Sequence, residues 1–501
     1  MAVPAPDAPP AAPPAAPPVD GPPEPPPDGP PASAARRIAR NVGALAVARG
    51  ATLLLTLGTV AHVTRALGAE GYGVIGFGLA LHAFFALVAR PGLDVLAVRE
   101  LARDPARVRG LAADVTSLQV ALALGAAVAY AAVVWGLGRP GPERLALWAI
   151  GLPLLVQPFA LDWVYQGVER MGVLAVRNVA ASALQLAAAL ALVRSPEDLV
   201  WAAALQGLAL AVVSVALWVA FRRDFGPLRL RVDWAAWGAL LRPALPIAAS
   251  TLMILVYYNL DKLMLSGLRG DRVVGLYEAA YRWVLVALVP ATVFVQAFFP
   301  SLSAAHGDRG RMAAQAGAFA RVNLGVGLPV ALGGALLAGP LVTLLAGPEF
   351  APAGPVLAVL MANVAVVYLN LALGQPLLAW DLQTPYFWAV GAGAAANVVL
   401  NVALIPPFGA MGAAWATLGA EAAVLAVLAA VYGRTLGTLP VGPAALAGAV
   451  AVVGVGVPVG ASLALGWPWG VGAALAVPAF AAAAWGLGLV RPSDLAAVRG
   501  R

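Results

Sequence analysis

The chain is 501 residues long, 61% hydrophobic and only 11% charged, against about 25% charged in ordinary soluble domains. Thirty-one basic and 24 acidic side chains, a net charge of +7, cannot cover the surface of a soluble globular enzyme of this size, so that class is excluded. The absence of cysteine excludes disulfides, thiolate nucleophiles and cysteine-bound metals, and three scattered histidines, His62, His82 and His306, form no metal motif.

Residues 1–35 hold 15 of the 42 prolines and four acids, Asp7, Asp20, Glu24 and Asp28, with no base. Such a segment buries no apolar surface and is predicted to be a disordered cytoplasmic tail. It also lacks the basic start and apolar stretch of a signal peptide. From there the unit is the membrane span of about 20 apolar residues. Apolar runs fall at 41–64, 74–96, 113–137, 145–166, 172–193 and 199–221. After a polar break they resume at 244–267, 276–302, 320–346, 355–380, 385–405, 412–433, 441–465 and 469–490. The reading is an all-α polytopic membrane protein of about 14 transmembrane helices. No connection between spans is long enough for an extramembrane domain.

Basic residues orient the spans. With the N-terminus inside, the inner segments carry 19 arginines, clustered at 36–40, 99–109 and 222–242, and the outer loops carry six: Arg65, Arg139, Arg144, Arg194, Arg269 and Arg272. That bias agrees with an even number of spans and both termini in the cytoplasm. Positive charge distributed between apolar segments suits anionic lipid headgroups, not nucleic acid.

The chain repeats itself. Gly68 and Gly73 after the first span recur, 202 residues on, as Gly270 and Gly275 after the seventh. Each pair brackets a tight outer turn, as a six-plus-six duplication requires, and parallel repeats of this kind occur in transporters.

The segment Arg65-Ala66-Leu67-Gly68-Ala69-Glu70-Gly71-Tyr72-Gly73 resembles the turn after the first helix in polysaccharide-exporter flippases of the multidrug/oligosaccharidyl-lipid/polysaccharide exporter superfamily. Gly92-Leu93-Asp94 with Val98-Arg99-Glu100-Leu101, Tyr165 to Met171, Leu260 to Leu265, Gly275 to Arg282, and Asn397 to Ala414 resemble later helices and turns of that family in order and spacing. The resemblance covers residues 36–435. It implies an N-lobe at 36–235 (spans 1–6) and a C-lobe at 236–435 (spans 7–12), two pseudo-symmetric six-helix lobes around a central cavity. Spans 13–14 and a short cytoplasmic C-terminus follow at 436–501. It also implies undecaprenyl-diphosphate-linked oligosaccharide repeat units as substrate, moved across the bacterial cytoplasmic membrane by alternating access for surface polysaccharide biosynthesis, with no cofactor and no catalytic residue.

Independently of the family, charges inside spans are costly and face a bundle interior or wet cavity. Six cations lie there: Arg49, Arg90, Arg177, Lys262, Arg282 and Arg321. Arg49, Thr52, Thr56 and Thr59 fall on one helical stripe, and Arg49, Thr52, Thr56, Lys262, Arg282 and Arg90 are the expected cavity residues for an anionic diphosphate headgroup. Asp94, Asp261 and Glu278 are expected to couple ions or pair with cations. The i, i+4 spacing of Arg90 with Asp94 and of Glu278 with Arg282 equally describes structural ion pairs. Arg177 and Arg321 near helix ends read as snorkelling side chains. Asn363, Asn397 and Asn401 are expected to bond between helices. Two other readings stand beside the flippase: a multidrug or small-molecule exporter of the same superfamily, and a non-transporting scaffold for glycan-synthesis proteins.

Overall fold

The structure is a computed structural model in which backbone is described for residues 32–489 and side-chain surroundings for 48–489. The tail at 1–31 and the C-terminal residues 490–501 lie outside the described residues. Every regular element described is helical, as backbone groups in lipid require when no closed barrel forms. In chain order the helices are α1 (Ala32–Ala89), α2 (Leu93–Arg103), α3 (Val108–Gly136), α4 (Gly141–Gly151), α5 (Pro153–Val156), α6 (Asp162–Gly167), α7 (Met171–Leu192) and α8 (Leu199–Phe225). They continue with α9 (Trp234–Arg269), α10 (Asp271–Ala287), α11 (Val289–Ala304), α12 (Arg309–Leu336), α13 (Ala338–Ala346), α14 (Gly354–Ala379), α15 (Gln383–Phe408) and α16 (Ala410–Leu436). Last come α17 (Val441–Ala451), α18 (Val457–Ala464) and α19 (Trp469–Gly486).

Among the described residues, twelve helical segments are long and apolar enough to cross a membrane, where the sequence predicts fourteen spans. Two places account for the difference. The runs at 41–64 and 74–96 fall along one element that bends at Gly68, whose φ of 68° and ψ of −177° interrupt the helix. The run at 145–166 is broken into short pieces: α4 ends at Gly151, Pro153 opens α5, and α6 starts at Asp162. Proline removes the backbone donor that would continue each helix.

The second run also ends earlier than its hydropathy suggests. Gly92 takes a left-handed conformation, and α2 then starts anew as an amphipathic helix. It buries Leu93, Leu96, Ala97 and Leu101 while Arg99 stays exposed.

The repeat is visible in the backbone. Gly270 (φ 85°, ψ 166°) reproduces the conformation of Gly68, in a region that L side chains rarely enter. The glycines five residues later explain why the motif needs two. A Cβ on Gly73 would sit 1.7 Å from the Asp271 carbonyl oxygen, and a Cβ on Gly275 would sit 1.9 Å from the Ala69 carbonyl oxygen. Ala69 and Asp271 are also 202 residues apart. The two copies of the motif therefore cross each other reciprocally, backbone against backbone, as small-residue interfaces between membrane helices do.

Packing differs between the two ends of the molecule. At the end marked by Gly68 and Gly270, one apolar cluster joins both copies of the repeat and includes Tyr72, Phe77, Tyr130, Tyr277, Tyr281 and Phe350. Toward the other end, one cluster is drawn from residues 93–244, including Leu101, Trp163 and Phe221, and another from 302–432, including Phe319, Trp380 and Tyr432. The halves thus share a core at one end and keep separate cores at the other. Helix α9 takes part in both halves. Its first turns pack Trp237 and Ala244 into the 93–244 cluster, and farther along Tyr257 reaches Glu421 of α16. Pro243 and Pro246 lie within the part packed on the first half, ahead of Tyr257. Helices α17 to α19 pack beside α12, where Gly454 meets the Phe480 backbone and Gly325 meets Leu489. Leu54, Val128, Val176 and Val477 are each 71% exposed, an outer surface suited to lipid rather than water.

Candidate functional site

The structure sorts the intramembrane polar residues into four groups. The first lies at the crossing of the two repeat copies. Lys262 Nζ of α9 is 2.5 Å from Glu278 Oε1 of α10, and Arg282 Nη2 is 4.0 Å from Glu278 Oε2. Arg282 Nε donates to the Tyr72 hydroxyl of α1 at 3.2 Å. Lys262 also sits 5.2 Å from the centre of the Tyr281 ring, a cation–π contact. Asp261 is buried and accepts the Lys262 backbone N–H at 2.8 Å. Gly76 makes room for this group: a Cβ there would lie 2.8 Å from Glu278 Cγ. From the sequence, Lys262 and Arg282 are expected in a cavity with Arg49, Thr52, Thr56 and Arg90, and Asp261 and Glu278 with Asp94 as ion-coupling or pairing groups; the fold puts Lys262, Arg282, Asp261 and Glu278 side by side. Tyr72 was missed because nothing in its own segment signals a partner 210 positions away.

The second group is in the first half. Arg90 Nη2 pairs with Asp94 Oδ2 at 2.7 Å, and Gln119 Nε2 donates to Asp94 Oδ1 at 2.8 Å. Arg177 Nη2 lies 3.2 Å from Asp162 Oδ2. Arg177 therefore has a carboxylate partner, where its position near a helix end suggested snorkelling alone. The Nε atoms of Arg90 and Arg177 and Oε1 of Gln119 are buried without a partner in the structure.

The third group is the stripe on α1. Arg49 is exposed and forms no salt bridge among the described residues. Thr52 and Thr59 turn their hydroxyls to the carbonyls of Ala48 and Leu55 four residues back, at 2.8 and 3.0 Å, and Thr56 is half-buried. The two bonded threonines satisfy their donors within the helix.

The fourth group was not read as a site from the sequence. Glu421 of α16 accepts the Tyr257 hydroxyl of α9 and the Asn370 Nδ2 of α14, each at 2.6 Å. It lines a cavity of about 270 Å³ and has no salt bridge among the described residues. The asparagines behave differently from expectation. Asn401 Nδ2 donates to Asn397 Oδ1 at 3.0 Å within α15, while Asn370, bonded to Glu421, and Asn323, which donates to the Tyr368 carbonyl at 2.9 Å, bond between helices.

The end marked by Gly68 and Gly270 adds contacts between the halves. Arg139 bonds Asp271, and it reaches Ser266 at 2.7 Å and Glu143 at 3.1 Å. Burial works against its charge, yet Asp271 and Glu143 hold its pKa above the ordinary arginine value. Arg65 donates to the Leu344 carbonyl at 2.7 Å, and the Ala69 N–H donates to Glu349 at 3.1 Å. Among the described residues no three metal-ligating side chains converge.

The family model for polysaccharide biosynthesis proteins matches residues 38–306, more than half of the chain. The chain belongs to the polysaccharide biosynthesis protein family. No curated protein matches it by sequence. Among solved structures, a lipid II flippase MurJ in an inward closed conformation superposes with a TM-score of 0.69 at 11% identity, covering 88% of this chain and 97% of that one. A multidrug resistance MATE family transporter of the MOP superfamily in an inward-facing conformation gives 0.60 at 16% identity, covering 76% and 94%. An outward-facing MATE transporter gives 0.54 at 15% identity, covering 79% and 94%. At these identities the likeness is one of fold. This family member is a multi-pass membrane protein built on the fold of flippases and exporters of the MOP superfamily, as the sequence motifs implied, and the folds it matches are those of transporters.

Proposed function

We propose that the protein is a flippase that carries undecaprenyl-diphosphate-linked oligosaccharide repeat units across the bacterial cytoplasmic membrane for surface polysaccharide biosynthesis. The observation that carries this reading is the packing asymmetry within a transporter fold: a shared core at one end, separate cores at the other. Two halves joined at one end can exchange that closure for closure at the opposite end, which is alternating access about a central site. The basic inner segments put the joined end outside, with both termini in the cytoplasm.

Within this reading the anionic diphosphate first meets the cation that is least committed. Lys262 and Arg282 already share Glu278, and Arg90 is held by Asp94. Arg49 is exposed, stands on a threonine stripe, and is the first contact for the headgroup. The second group, with Arg90 and Arg177, forms the next station, where phosphate oxygens exchange with the two carboxylates. Asp94, Asp261 and Glu278 act as counter-ions that hold these cations in the membrane, and a transmembrane ion gradient drives the cycle.

The test is transfer of a labelled polyprenyl-diphosphate oligosaccharide between leaflets of proteoliposomes. Wild-type protein transfers it, and Arg49→Ala lowers the rate at least tenfold. Undiminished transfer by Arg49→Ala removes that residue from the path, and absence of transfer by wild type under an imposed gradient contradicts the function. The multidrug-exporter reading has the MATE folds on its side; transport of small cationic drugs without transfer of the lipid would favour it.

A further inference from the structure

The cavity at Glu421 lies apart from the charged groups assigned to the diphosphate. Tyr257 is twelve residues from the end of α9 and Glu421 eleven from the start of α16. At 1.5 Å per residue both sit about 17 Å from the outer turns, close to the membrane midplane. An ionisable carboxyl group at that depth is a functional position by default.

Its surroundings are those of a hydroxyl-reading pocket. The cavity of about 270 Å³ is lined mostly by apolar side chains, with Tyr257, Tyr258 and Tyr386 among them. Tyr257 and Tyr258 stand perpendicular at 5.1 Å, so the pair presents one ring face and one ring edge. Tyr258 is 46% exposed. The carboxylate is met by donors, the Tyr257 O–H and the Asn370 amide N–H, not by converging oxygen lone pairs. A cation cage needs the opposite arrangement, with several oxygens turned inward. Asn370 is 7% exposed, and its Oδ1 is buried without a partner in the structure. A buried acceptor left open beside a cavity calls for a donor from outside. Apolar walls with a few placed polar groups and flat aromatic faces are how proteins hold a compact polyhydroxylated ring.

We infer that this cavity is a saccharide subsite: Tyr258 and Tyr386 receive the apolar face of one sugar ring, and Glu421 and Asn370 Oδ1 accept its hydroxyl protons. The inference rests on the flippase reading and deepens it by separating recognition of the sugar from recognition of the diphosphate. It also assigns a preference. Beside an unpaired carboxylate, a neutral or amino sugar is accepted, and a uronic acid or phosphorylated sugar is repelled.

Equilibrium binding to the full chain in detergent tests it with two probes: a polyprenyl diphosphate bearing a neutral disaccharide and the same polyprenyl diphosphate without sugar. Tyr258→Ala and Glu421→Gln are expected to weaken the disaccharide probe about tenfold, the scale of one lost hydrogen bond to a charged group, and to leave the bare probe unchanged. Because Tyr258 is half exposed, its truncation leaves the fold intact, which an unchanged unfolding temperature verifies. Equal weakening of both probes overturns the subsite, as does no change in either. Unchanged binding together with transfer that no longer responds to an imposed proton or sodium gradient makes Glu421 an ion-coupling group and likewise overturns it. Failure of wild type to move either probe in vesicles counts against the flippase reading alone, since binding is measured separately.

Discussion

Glu278 illustrates how the charges inside the membrane are kept. One carboxylate faces Lys262 at 2.5 Å and Arg282 at 4.0 Å, with Tyr72 beyond. Removing it leaves two buried cations in each other's field, and breaking a buried pair on one side typically costs about 3–5 kcal/mol. Glu278→Gln is therefore expected to lower the unfolding temperature in detergent markedly. Glu278→Gln combined with Lys262→Met should recover much of that loss, and a double variant as unstable as the single one would contradict the pairing. The sequence exposed these residues because intramembrane charges are rare and the i, i+4 spacing of Glu278 and Arg282 is local. It hid Tyr72 and the grouping of Glu421 with Tyr257 and Asn370, because these residues come from helices distant in the chain and no local spacing links them.

The crossing of the two repeat copies belongs to the scale of elements. Gly73 and Gly275 let α1 and α10 touch backbone to backbone, and Arg139 adds an ion pair with Asp271 beside them. A Cβ at 1.7 Å from a carbonyl oxygen has no rotamer to escape into. Gly73→Ala therefore forces the halves apart at this end, and a thiol label on an introduced cysteine at position 69 should react at least several-fold faster in that variant. Unchanged labelling would mean that the crossing is not closed in solution. Asp271→Asn, which spares the backbone, should give a smaller increase of the same sign. The repeat offset of 202 made this contact partly legible: the sequence showed two matching glycine pairs, but only the fold shows that they face each other. Span boundaries were less legible. Hydropathy runs through Pro153, which is not polar, while proline breaks the helix there. In α9, Pro243 and Pro246 lie in the part packed on the first half, where Ala244 and Ile247 meet Gly92, ahead of Tyr257, which reaches the second. Pro246→Ala restores a backbone hydrogen bond. It is expected to raise thermal stability slightly and slow transport several-fold, and faster transport would argue against bending at this point.

For the whole molecule, composition alone identified a membrane protein, and motif order identified the transporter fold. What it did not show is that the halves share one core at one end and hold two at the other. That depends on side chains meeting across hundreds of residues and carries no local pattern. The asymmetry makes alternating access a mechanical claim: the joined end must separate for cargo to leave. The cysteine-free sequence allows this to be measured directly. Arg65→Cys and Leu344→Cys place two thiols on opposite sides of the joined end, where the Arg65 guanidinium now reaches the Leu344 carbonyl. Transfer of a labelled polyprenyl-diphosphate oligosaccharide would then be followed in proteoliposomes before bridging with a short cleavable reagent, after bridging, and after cleavage. The account predicts transfer before bridging, its loss while the bridge holds, and its return on cleavage. Transfer that continues at full rate through the intact bridge would contradict it.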